Sequence, residues 1–510
     1  MAIAESRRRF QPPAGGVVAA LSSAMNTGTL AFPVKLFLVC VAVPFSFGLG
    51  PVVMTGVRLV LLFLIPVMAV RLLSGKAGRM LPTDVLFFLH WLWIGVTIAI
   101  HNPDTMITNV GSTGIEFLGG YFLGRTFIRT KQDYIGLIRF SILLVALSLP
   151  LAVFETLTGR QILIELLQAI PVVEGSEKFP GVPRLGLNRV QMDFANPIHY
   201  GIYCTLVFSL CYFGMKGVYS RSKRFLATLV IFACVFLSLS SGALLPVMLQ
   251  LFMIIWAFMF RKSARRWWYL IGWLAFCYVT IDILSNRTPY RVFMTYATFS
   301  PGTAYWRAAI NQYGMENVWA HPILGIGFQN WKRPSWMQSS SVDNYWLLMA
   351  MRHGIPGFLL VAAGYAMAMW QVIRANLGTG DDVLLRLRLA WVFTFFSFAF
   401  TLNTVHVWAE IYSLVFFHIG AALWMVTVGP SVADGTAVAE PVRKAVPVRR
   451  ADPQPVATAE PLRAAQPANN RSRAVEGAIP RPEASVADVA DAPVEAPRHT
   501  RFPPKSRDPA

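Results

Sequence analysis

Apolar positions in this chain neither alternate at a strand period nor form narrow helical stripes; they come in long unbroken runs separated by short polar connections. A run of about 20 apolar residues spans about 30 Å as a helix, the thickness of a bilayer core, so such runs predict transmembrane helices. They fall at about 35–49, 52–71, 82–100, 107–126, 135–154, 197–215, 225–240, 242–260, 267–284, 344–373, 387–403 and 406–428. The predicted fold class is therefore all-α, a polytopic membrane helical bundle of about twelve transmembrane helices. The first run is short and the fourth is interrupted by glycines and Glu116. A re-entrant path for either would leave about ten or eleven spans.

Basic residues test this division, because they collect on the cytoplasmic connections of a membrane bundle. Arg7 to Arg9 precede the first run; Arg71, Lys76 and Arg79 follow the second; Arg125, Arg129 and Lys131 follow the fourth. Lys216, Arg221, Lys223 and Arg224 follow the sixth, Arg261, Lys262, Arg265 and Arg266 the eighth, and Arg374, Arg386 and Arg388 the tenth. The short connections between, at 101–106, Ser240-Ser241 and 404–405, carry no Lys or Arg. This parity predicts a multi-pass membrane protein with both termini cytoplasmic, an expectation that takes the membrane to be a bacterial inner membrane. Residues 1–34 form a cytoplasmic segment and 35–430 the transmembrane domain. The connections 155–196 and 285–343 are periplasmic, the latter being the large loop between the ninth and tenth spans. Arg7 to Arg9 are followed by a polar stretch with no adjacent cleavable apolar core, so no cleaved signal peptide is expected.

Composition agrees: 55% of residues are hydrophobic and only 14% charged, which lipid must cover. The net charge of +19 would suggest nucleic acid in a soluble protein, but residues 431–510 contribute only +2 of it. The remaining +17 falls largely in short loops and orients the bundle, so no nucleic-acid partner is expected. From about 431 the chain turns to Ala, Pro, Arg, Val and Glu, a composition that cannot bury enough apolar surface to fold, and a disordered cytoplasmic tail is predicted for 431–510. The five cysteines lie inside apolar runs and read as small core residues.

Chemistry is expected among the polar residues of the far-side connections. Four groups stand out: Arg184 through Arg189, Asp193, Asn196 and His199 to Gly201; Tyr305-Trp306-Arg307 through His321-Pro322-Ile-Leu-Gly325-Ile-Gly327-Phe328; Asp343-Asn344-Tyr345-Trp346 with Arg352-His353-Gly354 and Gly357; and the turn Ser240-Ser241-Gly242-Ala243. No His or carboxylate pair has metal-ligand spacing, and no glycine-rich phosphate loop precedes a cytoplasmic helix.

In these motifs the chain resembles the O-antigen ligase/polymerase family of membrane glycosyltransferases. The family pattern, His-(Asn/Ser/Gln), nine residues, Gly, two residues, Gly, is matched by Asn344, Gly354 and Gly357, with Asp343 at the His position. Arg307 and His321-Pro322-Ile-Leu-Gly325-Ile-Gly327 are similar to the family's preceding loop. Ser240-Ser241-Gly242-Ala243 is similar to a Ser-Arg-Gly-Ala turn, with Ser241 where the Arg is usual. The resemblance covers roughly 184–360 and implies transfer of glycan from a polyprenyl-diphosphate carrier such as undecaprenyl diphosphate, with no cofactor. The Asp-Asn start looks more like the exopolysaccharide repeat-unit polymerases than the ligases, which keep the His. A ligase that joins finished glycan to a lipid or protein is the alternative.

On this reading an inverting, metal-independent glycosyltransferase would use Arg307 and Arg189 to hold the anionic leaving group, since guanidinium groups stay charged and bind phosphate bidentately. Asp343 would accept the acceptor proton, or else cap the helix that follows. Asn344, Asn196, Arg184, Arg291, His321 and Tyr345 are candidate substrate-binding residues. His199, His321 and His353 are alternative bases or structural residues. Trp306, Trp319, Trp331, Trp336, Tyr345 and Trp346 suit sugar stacking or an interfacial belt. Expected partners are the lipid-linked glycan, membrane lipid and other polysaccharide assembly and export proteins. A transporter or flippase of a lipid-linked or anionic substrate would need paired ionisable groups at midplane, for which Glu116 and His90 are the main candidates.

Overall fold

The computed structural model describes residues 30–427 except 51, 180–182, 287, 297–300 and 378–379. The tail expected at 431–510 and most of the N-terminal segment 1–34 lie outside the described residues. The rest is mostly helical. Among the described residues, eight helices are long and apolar enough to cross a membrane: Gly56–Leu73, Pro82–His101, Lys131–Thr158, Ser241–Met259, Arg266–Leu284, Tyr345–Arg374, Asp382–Thr401 and Ala409–Thr427. The other four apolar runs also carry helices, but shorter or interrupted ones. Phe32–Ala42 has 11 residues, Arg221–Leu237 has 17, and the runs at 107–126 and 197–215 each pass through a single π-turn, at Ile115–Gly119 and Leu210–Gly214.

The first run departs most from expectation. Its helix ends at Ala42, and Ser46–Leu49 pairs antiparallel with Val52–Thr55 in a short hairpin. Pro44 disfavours helical backbone at Val43, and Gly50 takes a left-handed conformation at the turn (φ +61°). The second run accordingly begins as a strand and becomes helical at Gly56, where the Thr55 hydroxyl accepts from the Arg58 amide at 3.1 Å. The 135–154 run is likewise longer than expected, its helix continuing to Thr158.

The helices needed below are α1 (Met106–Phe127 through its π-turn), α2 (Pro197–Gly214 through its π-turn), α3 (Ser241–Met259), α4 (Pro301–Ala320), α5 (Tyr345–Arg374), α6 (Asp382–Thr401) and α7 (Ala409–Thr427). The 56–73 helix packs on α1, and α1 packs closely on α7. In that last contact Gly124 lies so near Phe417 that an added Cβ would stand 2.1 Å from its carbonyl oxygen. Helix α5 packs on the 82–101 helix, on α4 and on α6. By contrast, only 6% of the apolar window of Arg266–Leu284 is buried, so that helix relies on lipid for its cover.

One buried ion pair belongs to the scaffold. Arg125 and Asp84 are both fully buried and paired at 3.4 Å. Arg125 also donates to the carbonyls of Ala77 and Arg79 at 2.5 and 2.7 Å, and Tyr121 donates to Asp84. This network fixes the connection 74–81 against α1.

Candidate functional site

Four connecting segments meet at one end of the bundle. Asn196 caps α2 by accepting from the His199 amide at 3.0 Å, with Pro197 at the first helical position. Asn344 caps α5 by accepting from the Leu347 amide at 3.0 Å. The Tyr345 amide donates to Leu402 and Val405 carbonyls at 2.8 and 3.1 Å, which ties the start of α5 to the 402–408 turn. That turn seats against Gly242, where an added Cβ would fall 2.6 Å from the Val405 side chain. His199 closes the group, its ring 4.1 Å from that of Trp408 and its Nε2 3.4 Å from the His406 carbonyl.

The serine turn before α3 collects the two arginines of the 184–189 segment. Arg184 donates to the Leu239 carbonyl at 2.9 Å and Arg189 to the Ser238 carbonyl at 3.5 Å. Leu239 itself takes a left-handed conformation (φ +44°), which turns these carbonyls outward toward the guanidinium groups. Burial, with the neighbouring Arg184 charge, lowers the Arg189 pKa to about 10. Asp193, four residues beyond Arg189, is fully buried and accepts from the Ser176 amide at 3.0 Å through Oδ1, while Oδ2 has no partner among the described residues. Burial pushes its carboxyl up to about 7 against that hydrogen bond.

Two adjoining cavities open beside this junction. One, of about 130 Å³, is lined by Glu116, Phe328, Tyr345, Arg352, His406 and Tyr412 among others. The second, of about 340 Å³, shares Phe328 and Arg352 and is bounded by Asn330, Arg333 and Ser340. Arg352 thus stands between the two, its guanidinium 4.9 Å from the centre of the Phe328 ring. No carboxylate pairs with it among the described residues. His406 is held neutral, its pKa lowered to about 3 by burial and by the positive Arg352. Glu116 is paired with Arg58 at 2.8 Å, so this intramembrane carboxylate is already matched by a cation.

Glycines let the backbone close around Arg352. At Gly354 α5 is broken (φ +68°, ψ 178°), and an added Cβ would lie 2.0 Å from the Ile323 carbonyl. The freed groups are used: the Ile326 and Gly327 amides donate to the Met351 and Arg352 carbonyls at 2.8 and 3.0 Å, and the Ile355 amide donates to Pro322 at 2.7 Å. The Pro-Ile-Leu-Gly-Ile-Gly stretch and the break in α5 are therefore one interlocked unit.

The predicted site residues divide accordingly. Arg184, Arg189, Asn196, Asn344 and Tyr345 lie in the converging segments. Asp343 adjoins them, half-buried and accepting from Ser341 Oγ at 3.1 Å; the cap of α5 is Asn344 and not Asp343. Arg307 is buried on α4. It sits seven residues, about two turns, from Gly314, which packs on Leu347 and Met351, so it belongs to the α5-facing side. Arg291 lies elsewhere, donating to Gln312 at 3.5 Å beside another cavity. His321 is exposed at the end of α4. Arg352 stands in one of the four polar groups of the sequence but without an assigned role, and His406 stands in none of them. An arginine inside an otherwise apolar span was the signal that could have found the first; His406 emerges only from packing. Among the described residues, no three His, Cys, Asp or Glu side chains are grouped to hold a metal ion.

Residues 226–362 match the model of the family described as O-Antigen ligase. The matched stretch contains the serine turn, Arg307, the Gly-x-Gly segment, Asp343, Arg352 and Gly354. No curated protein matches the chain.

Proposed function

We propose, from the membership of residues 226–362 in the O-antigen ligase family, that this polysaccharide-assembly membrane enzyme is a repeat-unit polymerase. It would act on polyprenyl-diphosphate-linked oligosaccharides at the periplasmic face of the inner membrane. The observation that carries the reading is Arg352, a cation without a carboxylate partner among the described residues, at the junction of two cavities inside the family-matched segment. A fixed guanidinium in a partly dry site suits an anionic diphosphate leaving group.

In the proposed step an acceptor hydroxyl oxygen forms a bond to the anomeric carbon of the donor sugar, from the side opposite the diphosphate. The bond from that carbon to the diphosphate oxygen breaks, and the oxygen leaves with the electron pair. The hydroxyl proton passes to Asp343, whose half-buried carboxylate lies at the start of α5. Arg307, Arg189 and Arg352 supply positive charge where the diphosphate charge grows, and Tyr345 lines the cavity. Asn344 and Asn196 hold the helix ends that frame it.

The test is polymer length in a deletion strain complemented with wild type, Arg307→Ala or Asp343→Ala at equal membrane expression. Single repeat units left on the lipid carrier are expected for both variants. Long polymer that persists in either would remove that residue from the mechanism. Long polymer in the deletion strain itself, with unattached glycan accumulating, would favour ligation.

A further inference from the structure

Helix α4 carries a second concave surface, on a different side from the one that meets α5. Ala304, Ala308 and Gln312 recur every fourth residue and form a stripe about a third of a turn around the helix from Gly314. This stripe floors a cavity of about 430 Å³, whose walls are Arg291, Tyr305, Tyr313 and Trp336. Alanine at two of the three floor positions keeps the space open. That volume lies in the range of about 300–1,000 Å³ typical of sites for small organic ligands.

The walls have a specific chemistry. Trp336, from the connection between α4 and α5, lies among the rings of Tyr305, Trp306 and Tyr313, with centroids 5.9, 5.7 and 6.1 Å away. Tyr305, Trp306 and Trp336 remain 61%, 40% and 45% exposed, so these rings present accessible surface instead of filling a core. Beside them the Arg291 guanidinium donates to the Gln312 amide oxygen at 3.5 Å, which holds two planar polar groups at the edge of the rings. None of these residues belongs to the eight apolar helices, and the rings gather around a polar-edged hollow. An interfacial belt would instead face them outward to lipid.

Flat aromatic surface with planar donors and acceptors at its edge is what a pyranose ring requires. Its C–H face packs on the aromatic ring, and its equatorial hydroxyls exchange hydrogen bonds with amide and guanidinium groups. We infer that this hollow is a subsite for a length of the glycan chain, separate from the cavities around Arg352. The inference rests on the glycan-transfer reading above. It adds a site that retains the chain between additions and so governs product length without taking part in bond formation.

The experiment uses the full-length protein in lipid nanodiscs, titrated with oligosaccharides of a few repeat units obtained by partial hydrolysis of the source cell's own surface polysaccharide. Binding is read by tryptophan fluorescence and calorimetry. Trp336→Ala is expected to weaken binding about tenfold, the worth of a strong aromatic contact, and Trp336→Phe to keep most of it. In cells Trp336→Ala should shorten the polymer while single linkages still form. Unchanged binding by Trp336→Ala overturns the subsite; so does unchanged binding with reduced membrane insertion, which identifies the rings as a lipid belt. Should Trp336→Ala fail to fold, Gln312→Ala decides: full affinity in a normally folded variant overturns the proposal. A deletion strain that still makes full-length polymer sinks the polymerase reading instead, whatever the titration gives.

Discussion

Arg352→Gln should make the protein more stable and less active at once. The side chain lies between two cavities with no carboxylate partner among the described residues, and its one described contact is with the Phe328 ring at 4.9 Å. Replacing it removes a cation–π contact worth about 0.5–1 kcal/mol. It also relieves the desolvation of an uncompensated charged donor, roughly 1–3 kcal/mol. The balance is a gain of roughly 1 kcal/mol, read as a melting temperature higher by about 1 °C. The backbone is untouched, because the bond from the Gly327 amide ends on the Arg352 carbonyl. Catalysis should move the other way: losing one preorganised donor to a developing oxyanion costs roughly 3–4 kcal/mol, about 10²–10³ in rate. The assay pairs a thermal melt of purified protein with initial rates of polymer formation in membranes. A variant that melts lower than wild type and stays active would refute the reasoning, since Arg352 would then be a packing residue.

Two further outcomes are expected. Gly354→Ala must relieve a Cβ placed 2.0 Å from the Ile323 carbonyl at a backbone angle that L-residues rarely adopt. It should destabilise by at least about 3 kcal/mol and expose the Ile326 and Gly327 amides to hydrogen exchange, whereas a wild-type melt would show that the interlock is dispensable. Asp193 gives a pH signature: burial raises its pKa from 3.8 to about 7, so between these values the folded state holds a proton that the unfolded chain has released. Its contribution to stability therefore falls as pH rises from about 4 to about 7 and is flat above. Asp193→Asn should remove that slope, and an identical slope in melts from pH 4 to 8 would count against it.

Much of the fold is legible along the chain because hydrocarbon must be covered by apolar side chains wherever a helix crosses it. Every expected apolar run carries a helix, and Asn196-Pro197 starts one where its types favour a cap. What a run cannot report is where local backbone preference cuts it short. Pro44 and Gly50 were visible, yet only the pairing of Phe47 with Met54 and its neighbours shows a hairpin in place of continued helix. Asp343 and Asn344 make the same point at the site. Both can cap, and the geometry gives the cap to Asn344, which leaves the Asp343 carboxylate to Ser341.

The sequence by itself determined a helical membrane protein, the polar segments in which chemistry was to be sought and, through its motifs, a resemblance to the O-antigen ligase family, whose model matches residues 226–362. These follow from local quantities: hydropathy per residue, charge per loop and spacing within one segment. Tertiary structure alone decided that the serine turn, the 402–408 turn and the caps of α2 and α5 converge, and that Arg352 stands between two cavities while Arg291 faces a third. Those facts depend on contacts between residues far apart in the chain. Such contacts are set by how helices pack against one another, as where Gly242 meets Val405, and no single segment encodes its partner.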